Sequence, residues 1–343
     1  MLGDLRARLL DWVSDVLYAG GFTDLRRRQA GKLAIVTFHR VLPEELRRRY
    51  PHPGLAVTPQ ELAWCLAFLG RHFACAPLQE AHRRWSTGEA LDRPLLAVTF
   101  DDGCLDNVEH ARPVLDRADV RATFFVPVAF VADGTPLWHD ALGFALERAV
   151  AERGREVRRL LRRFGLPPPV ASDAGALSWA AQALVPARRQ ELVAALRHLA
   201  GSGDPPPWAG PMRWDHVRRL HREGHEVGSH SVTHGLLPQY DSTAKNHELR
   251  ASRRILEDEI GHRVTSLAYP NGAVDDATEQ AARSAGYERA VTTRWGANAP
   301  GANPMRLRRF DMDVRRMHRR AGGELSEARL AWRLSGLHPG LRA

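Results

Sequence analysis

Lysine is almost missing from this sequence: Lys32 and Lys245 are the only two in 343 residues, and arginine supplies nearly all of the 49 basic side chains. Against 40 acids this leaves a formal charge of +9 and an isoelectric point near 10.2. Such a balance suits anionic surfaces and polymers in general. No basic block is interleaved with aromatic residues, however, so nucleic acid is not expected as a partner. Cysteine is scarce too. Cys65, Cys75 and Cys104 are an odd set without CxxC spacing, which excludes a zinc ribbon, argues against a disulfide framework and points to reduced thiols. No apolar run approaches the ~18–20 residues of a membrane span. Nor does the N-terminus hold the apolar core of a signal segment, because Asp4, Arg6, Arg8, Asp11 and Asp15 interrupt it. These absences lead us to expect a cytoplasmic protein. Internal repeats and low-complexity tracts are absent as well, and 44% hydrophobic residues suffice for one large core or barrel.

What is present is organised around Leu96-Ala97-Val98-Thr99-Phe100-Asp101-Asp102-Gly103, a buried-strand pattern that stops at two adjacent carboxylates and a turn glycine. Carboxyl ends of strands are where α/β folds bind ligands, so the pair is a site candidate. Upstream, Leu2, Leu5, Leu9, Val13, Val16 and Leu17 recur at helical spacing, making residues 1–30 an amphipathic segment. Docking on the domain's own core is its first expected use, and a peripheral contact with the inner membrane surface the alternative. Leu33 to Phe38 reads as a first strand ending at His39. Thr58, with Glu61 three residues on, caps a helix running to Phe73. A helix over 107–117 and an apolar run from Ala122 to Val131 complete a strand–helix–strand unit, hence a parallel sheet.

From 138 to 210 arginine-rich helical segments, punctuated by Pro167-Pro168-Pro169 and Pro205-Pro206-Pro207, read as an insertion over the rim. Regular structure then resumes with strands expected at Glu226–Ser229, Val264–Tyr269, Ala290–Thr293 and Leu307–Met312. Helices are expected over Trp214–Glu223, Thr243–Ile260 and Asp275–Ala285. The main domain so drawn covers 31–315, leaving 316–343 as a tail.

His230 and His234, four apart after a strand, can converge on one ion. With one carboxylate they form a two-histidine, one-acid set that suits zinc first, or cobalt or another divalent transition metal, and leaves a position open. Of the paired acids, one would bind the ion and the other take a proton from an acidified water, which is the chemistry of ester or amide hydrolysis.

Thr99-Phe100-Asp101-Asp102-Gly103, His230-Ser231-Val232-Thr233-His234 and Ala268-Tyr269-Pro270-Asn271-Gly272, in that order, resemble the motif set of the polysaccharide deacetylases, the NodB-like carbohydrate esterases. Phe38-His39-Arg40-Val41 and the Tyr-Pro-Asn-Gly form of the third motif are most similar to the branch acting on poly-N-acetylglucosamine or related bacterial exopolysaccharides. The resemblance implies an α/β fold, a distorted (β/α)7-type barrel with a helical insertion, and removal of N-acetyl groups from an N-acetylated polysaccharide, oligosaccharide or lipid-linked precursor. It assigns Asp101 as general base and Asp102, His230 and His234 as metal ligands. The backbone amide of Asn271, after Tyr269 and Pro270, matches the oxyanion donor, and Gly272 would admit substrate to that backbone. Two departures stand out. Where many members carry a base-orienting arginine, this sequence has Ala268, and Arg309 either supplies that charge from a neighbouring strand or forms a surface salt bridge. The family's late general-acid histidine has no clear counterpart; His39, His139, His318 and His338 are candidates, and Trp138 is a candidate sugar-stacking ring. Two rival readings stay open: hydrolysis of a non-carbohydrate C–N bond, and a non-catalytic glycan-binding scaffold that kept the metal site.

Overall fold

Seven short segments become parallel strands: β1 (Leu33–Phe38), β2 (Leu95–Phe100), β3 (Thr123–Val126), β4 (Glu226–Ser229), β5 (Ser266–Ala268), β6 (Arg289–Trp295) and β7 (Leu307–Asp311). In this computed structural model each pairs with the next, and β1 pairs with both β2 and β7, which closes the sheet into a barrel. The structure describes residues 2–166, 173–201, 204–312 and 319–338, the first five by backbone alone. One irregularity distorts the wall. A two-residue strand at Ala74–Cys75 pairs with Leu95 and Leu96 of β2, so β3 reaches β2 only at Thr99 and Phe100.

Strand alternation sorts the side chains into two layers. Leu33, Ile35, Ala97, Phe125, Ala268, Val291 and Leu307 fill the interior, plugged below by Leu78 and Ala81 of the helix Leu78–Ser86. Ala34, Val36, Phe38, Leu96, Val98 and Phe100 face the surrounding helices. The Thr58–Glu61 capping box is present at the start of the helix Pro59–His72. The apolar run 122–131 is not one element: Pro127 ends β3, and Val128–Asp133 is helical.

Six helices bear on the site and its surroundings: α1 (Leu2–Ala19), α2 (Trp138–Arg163), α3 (Ala174–Ala181), α4 (Pro186–Leu199), α5 (Ser242–Ile260) and α6 (Glu327–Leu334). The segment expected to be a tail instead closes the main core, because Leu330, Ala331 and Leu334 of α6 are buried in it. α1 docks against α6, though not through the expected stripe. Asp11 Oδ1 accepts from Arg329 Nε at 2.7 Å, Asp15 accepts from Arg320 at 2.6 and 2.7 Å, and Ser14 is fully buried. Ion pairing sets the helix's rotation, which leaves Val13 and Leu17 half-buried and turns Leu9 and Val16 to solvent. The side chains of Leu2 and Leu5 lie outside the described set.

The insertion has its own core of Leu142, Leu146, Leu161, Leu177, Leu192 and Leu196 across α2, α3 and α4. Arg153 breaks α2 at φ −138°, ψ 46°. The first proline triplet falls outside the described residues, and the second runs into a single 3-10 turn, Pro207–Ala209.

Candidate active site

The alternation that puts Ala97 and Thr99 inside β2 also puts Asp101 inside, at the barrel mouth. There Arg309, 1% exposed, meets it from β7 with two parallel bonds, Nη1 to Oδ1 and Nη2 to Oδ2, each 2.8 Å. The guanidinium is itself fixed by donating from Nε to Thr292 O at 2.9 Å and from Nη1 to Thr37 Oγ1 at 2.9 Å. Of the two alternatives for Arg309, the structure therefore leaves the buried partner of Asp101 and removes the surface salt bridge. Burial alone would raise the Asp101 carboxyl, but the facing guanidinium overrides it and holds the group below its ordinary range.

Asp102 points elsewhere because the backbone turns left-handed immediately after the strand, at φ 75° for Asp102 and 62° for Gly103. Its Oδ1 lies 3.6 Å from His230 Nε2 and 3.2 Å from His234 Nε2. The three side chains are buried, and their ligand atoms lie within 4.8 Å of one another. Burial again acts to raise the Asp102 carboxyl, but the two imidazoles outweigh it and hold it well below its usual range. His230 donates from Nδ1 to Ala268 O at 2.7 Å, which leaves Nε2, turned to the Asp102 side, able to ligate an ion shared with that carboxylate. One carboxylate and two imidazoles converging in a buried place form a donor set that fits a divalent transition metal such as zinc.

The loop between the two histidines is held from below. Ser231 Oγ accepts from the His234 amide at 3.1 Å, and Glu248 on α5 accepts from the amides of Val232 and Thr233, each at 2.9 Å, and from Thr233 Oγ1 at 2.8 Å. Among the described non-glycine residues, positive φ occurs at Asp102, Asp119, Ser231, His234 and Asn271, and four of these five belong to the motifs. Such conformations cost roughly 1–3 kcal/mol each and persist only where surrounding contacts over-determine them. Glu248→Ala would leave two part-buried amides without their acceptor. It is expected to lower stability by about 1–3 kcal/mol in denaturant unfolding, and to weaken zinc binding about tenfold or more in competition with a chromophoric chelator.

The other candidates divide. His39, from the end of β1, lies with Nε2 3.9 Å from Asp101 Oδ2, its side chain 19% exposed at the mouth. His139 opens the insertion, and its ring centroid is 5.5 Å from that of His234. Burial pushes the His139 imidazole down to about 4, so it is neutral at pH 7. His338 is not at the mouth but packs at a tilt on Trp332 beyond α6, with ring centroids 4.6 Å apart, and His318 lies outside the described residues. Pro270 and Asn271 follow β5 at the mouth, with Asn271 in a left-handed turn at φ 54°. Tyr269 does not join them: it is fully buried, packed into the core around the barrel. Gly272 has a different reason from the one expected. A Cβ there would meet Thr293 N at 2.3 Å, so the glycine serves the packing of the turn on β6. Trp138 is half-buried with Arg189 stacked 4.7 Å over its ring, which takes the face a sugar would need.

Two supports were missed in the sequence. Glu248 is one; its only signal is an acid on the buried face of α5 beside Leu249, Ser252 and Leu256. Arg40 is the other. Buried at 1% exposure, it lies with Nε 2.8 Å from Asp106 and Nη1 3.3 Å from Asp140 of α2, and Nη1 donates to Ala209 O at 3.2 Å. Tyr50 Oη donates to the other Asp140 oxygen at 2.7 Å. The chain returning from the insertion is also tied to the Asp101–Asp102 turn, with Met212 N donating to Gly103 O at 2.9 Å.

A parallel barrel with a buried acid–imidazole set and a second, guanidinium-paired acid at its mouth defines a hydrolase-type centre. Comparison with known proteins agrees. The chain belongs to the polysaccharide deacetylase family, whose profile matches residues 88–163 and 176–290, interrupted within the insertion. By class it is a polysaccharide N-deacetylase. No curated protein matches it. Among solved structures it is similar to the Streptococcus pyogenes deacetylase PplD, with 18% identity, TM-score 0.56, and coverage of 82% of this chain and 92% of that one. IcaB from Ammonifex degensii gives 19%, 0.52, 82% and 91%. The BpsB deacetylase domain from Bordetella bronchiseptica gives 16%, 0.52, 82% and 97%. At these identities the likeness shows the shared barrel.

Proposed function

We propose that the protein is a metal-dependent hydrolase that removes acetyl groups from N-acetylated sugars of a bacterial exopolysaccharide or its lipid-linked precursor. The observation that carries this reading is the pairing of two carboxylates with separate tasks: Asp102 faces two imidazoles, while Asp101 faces a guanidinium and, among the described residues, its nearest histidine is His39 at 3.9 Å. Asp102, His230 and His234 would hold the ion. When bound, a divalent cation supplies Lewis acidity, polarising a carbonyl and acidifying water.

The chain's own residues supply the rest. Asp101, kept ionised by Arg309, accepts the proton of the water that attacks the acetamide carbon. The Asn271 amide, held in its left-handed turn beyond β5, donates to the developing oxyanion. His39, at the mouth with an edge open to solvent, delivers a proton to the amine as the C–N bond breaks. The exopolysaccharide reading draws support from the Phe-His-Arg-Val and Tyr-Pro-Asn-Gly motifs, and from the relatives named IcaB and BpsB.

The direct test is acetate release from N-acetylglucosamine oligomers by the purified protein. Release is expected to fall to background after chelation and to return with zinc or cobalt; release that survives complete metal removal would overturn the metal-dependent reading. The acid assignment has its own test. His39→Gln is expected to slow oligomer deacetylation about 100-fold while leaving hydrolysis of an aryl acetate nearly unchanged, since a phenolate departs without a proton. Equal losses on both substrates would remove His39 from that role.

A further inference from the structure

Only seven large apolar side chains are markedly exposed among the described residues, and four of them form one stripe. Leu9, Trp12 and Val16 on α1 are 57%, 64% and 47% exposed and lie at i, i+3 and i+7, on one side of the helix. Phe22, 62% exposed, continues the line just past the helix end, its ring folded over Gly20, where a Cβ would meet it at 2.8 Å. Leu10, Val13 and Leu17 are half-buried on the docked side, with Asp11 paired to Arg329 and Asp15, at the edge of that side, to Arg320, so Leu9, Trp12 and Val16 form a second apolar strip that no element of the described chain covers. Between residues 7 and 22 the charged side chains reaching solvent are Arg8 and the Arg320-paired Asp15, and exposed Asp24, Arg26 and Arg27 follow Phe22 within five residues.

We infer that this face is a docking surface for the interfacial zone of an anionic lipid bilayer. Three features favour lipid over a protein partner. The stripe is one helix wide and convex, so it offers no pocket. Four such side chains present a few hundred Å², short of the roughly 800 Å² per partner of a stable protein interface, whereas a bilayer needs no shape complement. The residue types are those of an interfacial helix, with tryptophan and phenylalanine on the apolar side and arginines at its border. A chain of net charge +9 adds long-range attraction to acidic headgroups.

The test is sedimentation of the full-length protein with extruded vesicles of phosphatidylcholine, alone or mixed with phosphatidylglycerol. The protein is expected to pellet with the anionic vesicles, less with the neutral ones, and less as salt rises. The triple substitution Leu9→Ser, Trp12→Ser and Phe22→Ser is expected to lower partitioning at least about tenfold with deacetylation of a soluble oligomer unchanged, which also shows that the variant is folded. Trp179→Ser, which removes a 77% exposed indole on α3, should have no effect. Brominated lipid should quench the wild type more than Trp12→Phe, which keeps the apolar face but lacks that fluorophore. Failure to pellet with anionic vesicles, or undiminished pelleting of the triple variant, would overturn the assignment. So would a wild-type dimer that the triple variant dissociates in the absence of vesicle binding, since the face would then belong to a second copy.

Discussion

Asp101→Asn should abolish turnover while leaving the metal in place. The amide can still accept one hydrogen bond from Arg309 but cannot take a proton, so kcat is expected to fall about 10³-fold or more, with bound zinc per chain equal to that of the wild type. The metal count makes this a test of role as well as importance. His230→Ala and His234→Ala would lose both activity and zinc, since their Nε2 atoms face Asp102 at 3.6 and 3.2 Å. If Asp101→Asn also lost its zinc, Asp101 would be a ligand and the division of labour between the adjacent carboxylates would be wrong. Normal turnover in Asp101→Asn would remove the base altogether.

Arg309→Gln should produce the second large effect, and its signature is a displaced pH profile. Burial raises the Asp101 carboxyl, and the guanidinium is the chief group that reverses this. Without it the folded-state pKa moves up, so the acid limb of kcat/KM is expected to shift to higher pH. Activity should be recovered in part by alkaline buffer as the carboxyl ionises. Stability gives the sign independently. In the wild type the folded carboxyl binds protons less readily than the unfolded one. The pair therefore stabilises the fold above the unfolded pKa, and that contribution fades as pH falls through the lower folded value. In the variant an uncompensated buried carboxylate should cost about 3–5 kcal/mol near neutral pH, a deficit that narrows on acidification. An unshifted acid limb in a variant that still binds zinc would show that Asp101 does not depend on Arg309 for its charge.

How far the sequence could be read depended on whether a feature is local. The strand at 95–100 declared itself through an unbroken apolar run, and Thr58 with Glu61 declared a helix start, because both signals lie within a few residues. Asp102, His230 and His234 were legible as a set because their spacing and strand-end positions reflect chemistry that ion binding demands. Where the sequence was silent, the partner lay far along the chain. Nothing near Glu248 announces that it caps a loop sixteen residues back, and nothing near Arg40 announces Asp140 a hundred residues on. Arg309 remained ambiguous for the same reason: only closure of β7 onto β1 settles whether its guanidinium faces in or out. The rotation of α1 was misjudged because apolar periodicity was weighed without the ion pairs to Arg329 and Arg320, which come from a segment taken to be a tail.

Arg40 gathers both ends of the insertion at one point, reaching Asp140 where the chain leaves the barrel and the carbonyls of Trp208 and Ala209 where it returns. Between those ends the three helices are stapled to one another by their own leucine core. This makes the roof an exchangeable cassette. Its length and surface can then vary while the carboxylates at the barrel mouth keep their register, provided the Arg40 clasp and the Arg189–Gln239 and Gln239–Gln182 contacts are retained.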